Sequence, residues 1–190
     1  MSVTVCIPTI PTRSQLLRER ALPSVYGQTR PADAIAISSD LHKEGAWTNR
    51  DRALKMAQTD WVAFLDDDDE LLPHHLELLL ATAEQHHADV VWGWFTVIGG
   101  SDPFPQHQGR QWDINDPHIF PITALVRREL IIESGAHFHP DHDNGGNWGA
   151  QDFPFWKAIH DVGGKFFGIP DVTWNWHHHG ANTSGLPTRW

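Results

Sequence analysis

Through the first hundred residues the apolar positions fall into two alternating patterns. Short, almost continuously apolar runs at Val3 to Ile7, Ala34 to Ser38, Trp61 to Leu65 and Asp89 to Phe95 predict strands covered on both faces. Between them, apolar residues recur three and four positions apart, which predicts helices from Ser14 to Val25, Thr48 to Gln58 and Pro73 to His87. The last of these places Leu76, Leu79, Leu80 and Ala83 on one face. Strands alternating with helices in this way predict an α/β fold, a mostly parallel central sheet flanked by helices. Ligands of such open sheets sit beyond the carboxyl ends of the strands. Those ends read Pro8-Thr9, Ser38-Ser39-Asp40 and Asp66-Asp67-Asp68-Asp69, all polar.

The pattern then loosens. Gly99 to Pro117 is rich in Gly, Pro, Asp, Gln and His and reads as a long loop. A strand from Ile122 to Val126, a short helix from Arg127 to Ser134, an irregular stretch from Gly135 to Gly149 and a helix from Gln151 to Val162 follow. Short strands around Phe166 and from Val172 to Trp176 complete the prediction. There is no internal repeat and no linker, so residues 1–190 are expected to form one domain.

Composition narrows the chemistry. A chain of 190 residues, 40% apolar, supports a single core. Its net charge of -10 argues against a nucleic-acid backbone as partner, because such binders cluster Lys and Arg. An anionic ligand would need a metal ion or local positive charge. No stretch reaches the roughly 18 apolar residues of a membrane span, and Met1-Ser-Val-Thr-Val-Cys-Ile reads as a strand, so a cytoplasmic protein without a transmembrane segment is expected. The single Cys6 reads as a small buried hydrophobe. The 14 His and 10 Trp are an excess that metal ligands and sugar-stacking platforms would explain in part and core packing would also explain.

The acidic run carries the strongest signal. The apolar strand Trp61-Val-Ala-Phe-Leu delivers four aspartates and Glu70 into one turn, where mutual repulsion costs stability unless a cation is present. A solvated loop would account for a charge run, but not for its place directly after a buried strand. Hard carboxylate oxygens suit Mg2+ or Mn2+, ions that share their shell with diphosphate oxygens, so a phosphate-bearing substrate is expected.

Several ordered segments resemble the inverting, family 2 glycosyltransferases of the GT-A fold. Val3-Thr-Val-Cys-Ile-Pro-Thr is similar to the family's opening strand, Leu22-Pro-Ser-Val-Tyr-Gly-Gln-Thr to its segment ending in Gln-Thr, and Asn49-Arg-Asp-Arg-Ala-Leu to its Ala-Arg-Asn-x-Gly-Leu block. Phe64-Leu-Asp-Asp-Asp-Asp-Glu-Leu-Leu-Pro aligns without a gap to Phe-Leu-Asp-x-Asp-Asp-x-x-x-Pro. In that register Asp66 and Asp68 are the acids of the Asp-x-Asp motif: Asp68 is the implied metal ligand, Asp66 lies near the ribose or metal waters, Asp67 takes the variable position and is grouped with Asp66 among the implied nucleotide-sugar contacts, and Asp69 supports the turn. The resemblance implies nucleotide-sugar contacts at Pro8, Thr9, Arg13 and the end of the second strand, with Asp40 standing in a Ser-Ser-Asp run where the family often has Asp-Asp-Gly-Ser. Arg50 fits either a nucleotide contact or a salt bridge at the core edge. Residues to about 100 would hold the nucleotide sugar, UDP-sugar by preference, and the remainder would shape the acceptor pocket, the resemblance covering nearly the whole chain.

Trp148-Gly-Ala-Gln-Asp-Phe-Pro-Phe-Trp resembles the family's Gly-x-Glu-Asp-x-x-x-Trp segment, with Gln151 in place of Glu, and makes Asp152 the implied catalytic base. A carboxylate there would take the proton of an acceptor hydroxyl attacking the anomeric carbon; an acid that simply caps a helix is the ordinary alternative. Trp174-Asn-Trp-His-His-His-Gly-Ala-Asn-Thr-Ser resembles the segment that often completes the metal site, which puts His179 forward as a ligand with His177 as second choice, and favours Mn2+ over Mg2+. The acceptor, whether glycan, lipid, protein or small molecule, is not indicated.

Two other readings compete. His137-Phe-His-Pro-Asp-His matches the metal-ligand pattern of metallo-β-lactamase-like hydrolases through His137, His139, Asp141 and His142, although little chain follows it to supply further ligands. A non-catalytic carbohydrate-binding module would use Trp112 and Trp148 as stacking platforms and bind sugar without nucleotide or metal.

Overall fold

The computed structural model describes residues 1–115, 123–138 and 152–178, and the account below concerns those residues. Strand β1, Val3–Thr9, is buried along its whole length. Because side chains alternate across a strand, Val3, Val5 and Ile7 enter one core while Cys6 enters the other. Strand β3, Trp61–Phe64, divides likewise: Trp61 and Ala63 on the first face, Val62 and Phe64 on the second. A sheet covered on both sides requires this unbroken apolarity.

The first face is covered by two helical elements. One follows β1 as a 3-10 turn, Pro11–Arg13, then Ser14–Leu16, a wider π-helical stretch Leu17–Ala21, and Leu22–Tyr26; residues 14–26 are called α1. The wide stretch precedes Pro23, which has no N–H to give to the preceding turn. The other is α3, His75–His86, whose Leu76, Leu79, Leu80 and Ala83 all reach this core. Helix α2, Ala46–Met56, covers the second face together with α4, Arg128–Ser134, and α5, Phe153–Asp161. There Phe64 meets Phe138 and Phe155 edge-on at 5.4 and 5.7 Å, and Phe138 stacks on Phe155 at 4.4 Å.

The remaining strands are β2, Ala34–Ser39; β4, Glu70–Leu71; β5, Val90–Ile98; β6, Ala124–Arg127; and β7, Phe166–His177. They form one seven-stranded sheet in the order β2-β1-β3-β6-β5-β7-β4. The α/β architecture is the expected one, but the sheet is mixed instead of mostly parallel. β1 pairs in parallel with β2 and β3, and β5 with β7, whereas β6 runs antiparallel to both β3 and β5, and β4 antiparallel to β7. Apolarity on both faces records coverage by helices and carries no information on strand direction.

Two further departures bear on the site. The pair of short strands expected near Phe166 and Val172 is one long strand, bulged opposite Trp92 to Phe95. Gly93 permits this: a Cβ there would lie 2.3 Å from the Thr173 hydroxyl. Strand β4 was not expected; Glu70 pairs with Asn175 and Leu71 with Trp174, which holds the end of the acidic run against β7. Because β1, β2 and β3 are parallel, their carboxyl ends meet at one edge of the molecule.

Candidate functional site

Helix α2 ties the strand ends together. Asn49 Nδ2 donates to the Thr9 carbonyl at 2.7 Å, the Ser38 hydroxyl donates to Asn49 Oδ1, and the Asp40 N–H donates to the Thr9 carbonyl at 2.9 Å. Above them opens a cleft of about 550 Å³, and its lining includes Pro8, Thr9, Arg13, Asp40, Arg50, Asp66 and Asp67. All seven residues expected to contact a nucleotide sugar are therefore brought around a single cavity.

The acidic turn forms one wall. Asp66, Asp68 and Asp69 each present a carboxylate oxygen, and these oxygens lie within 4.8 Å of one another. The Asp69 N–H donates to the Asp66 carbonyl at 3.2 Å and closes the turn. Asp69, expected only to support the turn, thus joins the carboxylate group. Burial pushes its carboxyl well above the usual range, and the neighbouring charges of Asp68 and Asp66 add to this. Asp67 points the other way. It is buried and accepts a hydrogen bond from the Thr9 hydroxyl at 2.6 Å and one from Arg13 Nη1 at 3.2 Å; burial raises its carboxyl against the pull of the Thr9 bond.

Two arginines of the helical run after β1 hold this turn. Arg13 Nη1 lies 3.0 Å from Asp68 Oδ2, and Arg20 Nη1 donates to the Asp68 carbonyl at 2.5 Å. A third, Arg50, comes from α2. It is buried, its Nη2 donates to both oxygens of Asp66 at 2.9 and 3.0 Å, and its Nη1 lies 3.6 Å from Asp152 Oδ1. Of the two roles open to Arg50, the structure displays the salt bridge, and does so on the cleft wall. Burial disfavours its charge, but Asp66 and Asp152 outweigh that and hold the guanidinium above its ordinary range.

Asp152 stands at the amino end of α5, one residue before Phe153. Burial raises its carboxyl, Arg50 opposes that and Asp66 adds to it. Its Oδ1 accepts no hydrogen bond among the described residues. Asp40 differs: its carboxylate accepts backbone N–H groups from His42, Glu44 and Gly45 at 3.2, 3.0 and 2.9 Å, and those bonds hold it below the usual range. It lines the cleft, but its oxygens build the loop leading into α2.

The other expected residues are dispersed. His179, Trp148, Gln151, His139, Asp141 and His142 lie outside the described residues. His177 Nε2 is 2.8 Å from Glu70 Oε2, while its N–H donates to Asp69 Oδ1 at 2.8 Å, so its main chain reaches the carboxylate group and its ring reaches Glu70. His137 is exposed, with Nδ1 3.1 Å from the Gly135 carbonyl. Trp112 is half-buried and stacks on Phe166 at 4.5 Å, a packing role and not an open platform. Asn49, Arg20 and Glu70 were missed as site residues. Asn49 stood in a family-like block and Glu70 closed the acidic run, so both were available to sequence reasoning; nothing local marked Arg20.

No curated protein matches the sequence at a significant level. Structural likeness is broad: the Staphylococcus aureus protein TarS matches with a TM-score of 0.77 and 17% identity over 94% of this chain and 37% of that one. TarS 1-349 in complex with UDP-GlcNAc matches with a TM-score of 0.78 and 17% identity over 98% and 62% of the two chains, and the same fragment in complex with UDP with 0.75 and 19% over 94% and 61%. This chain thus spans less than two thirds of those structures, and at such identity the likeness establishes the GT-A fold. The sequence model described as "Glycosyl transferase family 2" matches residues 37–136, which include α2, the acidic turn and α3. With more than half of its length in that match and the expected α/β sheet beneath it, the chain belongs to glycosyl transferase family 2 and not to the metallo-β-lactamase-like hydrolases.

Proposed function

We propose that this domain transfers a sugar from a nucleoside diphosphate, UDP by preference, to an acceptor hydroxyl with inversion at the anomeric carbon. The observation that carries the reading is the convergence of Pro8, Thr9, Arg13, Arg50 and Asp66 on one cleft, Asp66 also belonging to a group of three crowded carboxylates with Asp68 and Asp69. The preference for UDP rests on the likeness in fold to TarS, which has been captured with UDP-GlcNAc and with UDP. In this reading residues to about 100 hold the donor and the remainder shapes the acceptor side.

Asp66, Asp68 and Asp69 fit a hard divalent cation, because three carboxylate oxygens within 4.8 Å of one another repel unless positive charge is shared among them. Mn2+ or Mg2+ bound there, with Asp68 as principal ligand, would stabilise the charge that develops on the departing diphosphate. His179 remains part of the proposed ligand set. The chain's own residues supply the rest. Arg50 keeps Asp66 and Asp152 in register, and Thr9 and Arg13 fix the turn through Asp67. Asp152 takes the acceptor proton while the acceptor oxygen bonds to the anomeric carbon; the bond from that carbon to the diphosphate oxygen breaks, and its electron pair leaves with the nucleotide. Burial makes Asp152 a stronger base than an exposed aspartate.

Calorimetric titration of UDP and UDP-sugars, with and without Mn2+, tests the proposal. Nucleotide binding that strengthens with Mn2+ is expected. Binding of free sugar alone, with no response to nucleotide or metal, would favour the carbohydrate-binding module and sink the transferase reading.

A further inference from the structure

We infer that Arg13 is an internal stand-in for the divalent cation, released from Asp68 when metal and diphosphate arrive together, so that the two ligands bind with positive coupling. The inference rests on the donor and metal reading above. Arg13 ends the 3-10 turn that follows β1, and its N–H donates to the Ile10 carbonyl at 2.9 Å, which fixes its backbone at the cleft wall. Its Nη1 lies 3.0 Å from Asp68 Oδ2 and 3.2 Å from Asp67 Oδ1. One guanidinium nitrogen therefore sits on an oxygen of the carboxylate that a metal ion would need.

A guanidinium and a divalent ion repel each other and compete for the Asp68 carboxylate. Asp67 separates the two fates. It lines the cleft but lies outside the 4.8 Å carboxylate group; it is 2% exposed and anchored by the Thr9 hydroxyl. An Arg13 displaced from Asp68 stays tethered through Asp67, on the wall of the cavity in which a diphosphate would lie. Guanidinium groups bind phosphate oxygens well. Diphosphate thus offers Arg13 a replacement for Asp68, and metal ion offers Asp68 a replacement for Arg13. Either ligand alone must break the ion pair without making the other exchange. Arg20 provides the contrast: it carries the same charge to the same acidic turn but donates to the Asp68 carbonyl.

The test measures Mn2+ affinity by calorimetry or by the EPR signal of free Mn2+, in the whole chain, with and without UDP. Wild type is expected to bind Mn2+ alone weakly and about tenfold or more tightly with UDP, within the range of ordinary coupling. In Arg13→Gln, Mn2+ alone should bind roughly tenfold tighter than in wild type, and the gain from UDP should shrink to about twofold. Arg20→Gln, which makes the same change in charge, should keep the UDP gain of wild type; if it behaves as Arg13→Gln does, net charge and not exchange at Asp68 is responsible, and the inference fails. Circular dichroism and thermal melting verify that both variants fold, and Arg13→Lys, which keeps the charge but loses the fork, should lie between Gln and wild type. If wild type binds both Mn2+ and UDP while Arg13→Gln binds Mn2+ no more tightly, the inference alone is overturned. If no variant binds Mn2+ with or without UDP, the metal reading falls and the inference with it.

Discussion

After β2 the chain turns through Asp40, and after β3 it turns through Asp66 to Asp69. Both turns follow parallel strands that flank β1, and both line the same cleft. Asp40 is answered by three N–H groups of its own loop, which hold its carboxyl low. The later turn has four carboxylates, and most of their partners are side chains from elsewhere: Thr9, Arg13 and Arg50. Backbone donors are part of the local fold and cannot be exchanged for a ligand. Arginine side chains can move. The comparison teaches that an acidic strand end becomes a candidate site when its charge is balanced by groups able to leave, and a structural cap when it is balanced by its own backbone.

Four expected outcomes break or sharpen this contrast, the coupling measurement on Arg13 among them. The largest effect belongs to Asp152, which shares Arg50 with the acidic turn. Asp152→Asn should lower the transfer rate on the order of 10²–10⁴-fold, the usual worth of a general base, and leave UDP affinity within about twofold. A coupled assay for UDP release beside a UDP titration measures both; full transfer in this variant places the base elsewhere.

Next comes Asp68→Ala, which should lower transfer on the order of 10²–10³-fold and abolish the strengthening of UDP binding by Mn2+. Asp40→Ala should retain that strengthening. Equal loss of metal response in both variants would erase the difference between the turns.

The smallest effect is on stability in EDTA at neutral pH. Asp69→Asn should raise the Tm, because it removes a buried charge crowded by Asp68 and Asp66. Asp40→Ala should lower the Tm by about 2–4 °C, since three backbone donors lose their acceptor. The folded-state carboxyl of Asp40 is depressed, so its contribution is present above the ordinary value of 3.8 and is lost as pH falls through the folded value. The Asp40→Ala deficit should accordingly shrink in acid, a trend visible in melting curves taken from pH 7 downward.

Much of the first half was legible in the sequence. Val3 to Ile7, Trp61 to Leu65 and the Leu76, Leu79, Leu80, Ala83 face of α3 carry their burial in their periodicity, and each lies in the core where the period puts it. The resemblance around Phe64 to Pro73 led to the acidic turn. The second half was harder to read. β6 is apolar whichever way it runs, the bulge between β5 and β7 depends on the fit of Gly93 to Thr173, and the two residues of β4 are too few to show a period.

By itself, then, the sequence determined which segments are buried on both faces, where the polar strand ends fall, and that carboxylates are crowded after β3. These are local properties, set by side-chain alternation and by charge spacing within a few residues. Only the tertiary structure decided that Asp69 joins Asp66 and Asp68, that Asp67 turns away to Thr9, and that, among the described residues, Arg13, Arg20 and Arg50 answer the turn. Those partners are separated along the chain, and it is the strand order, with β1 between β2 and β3 and β7 beside β4, that brings them within reach of one another.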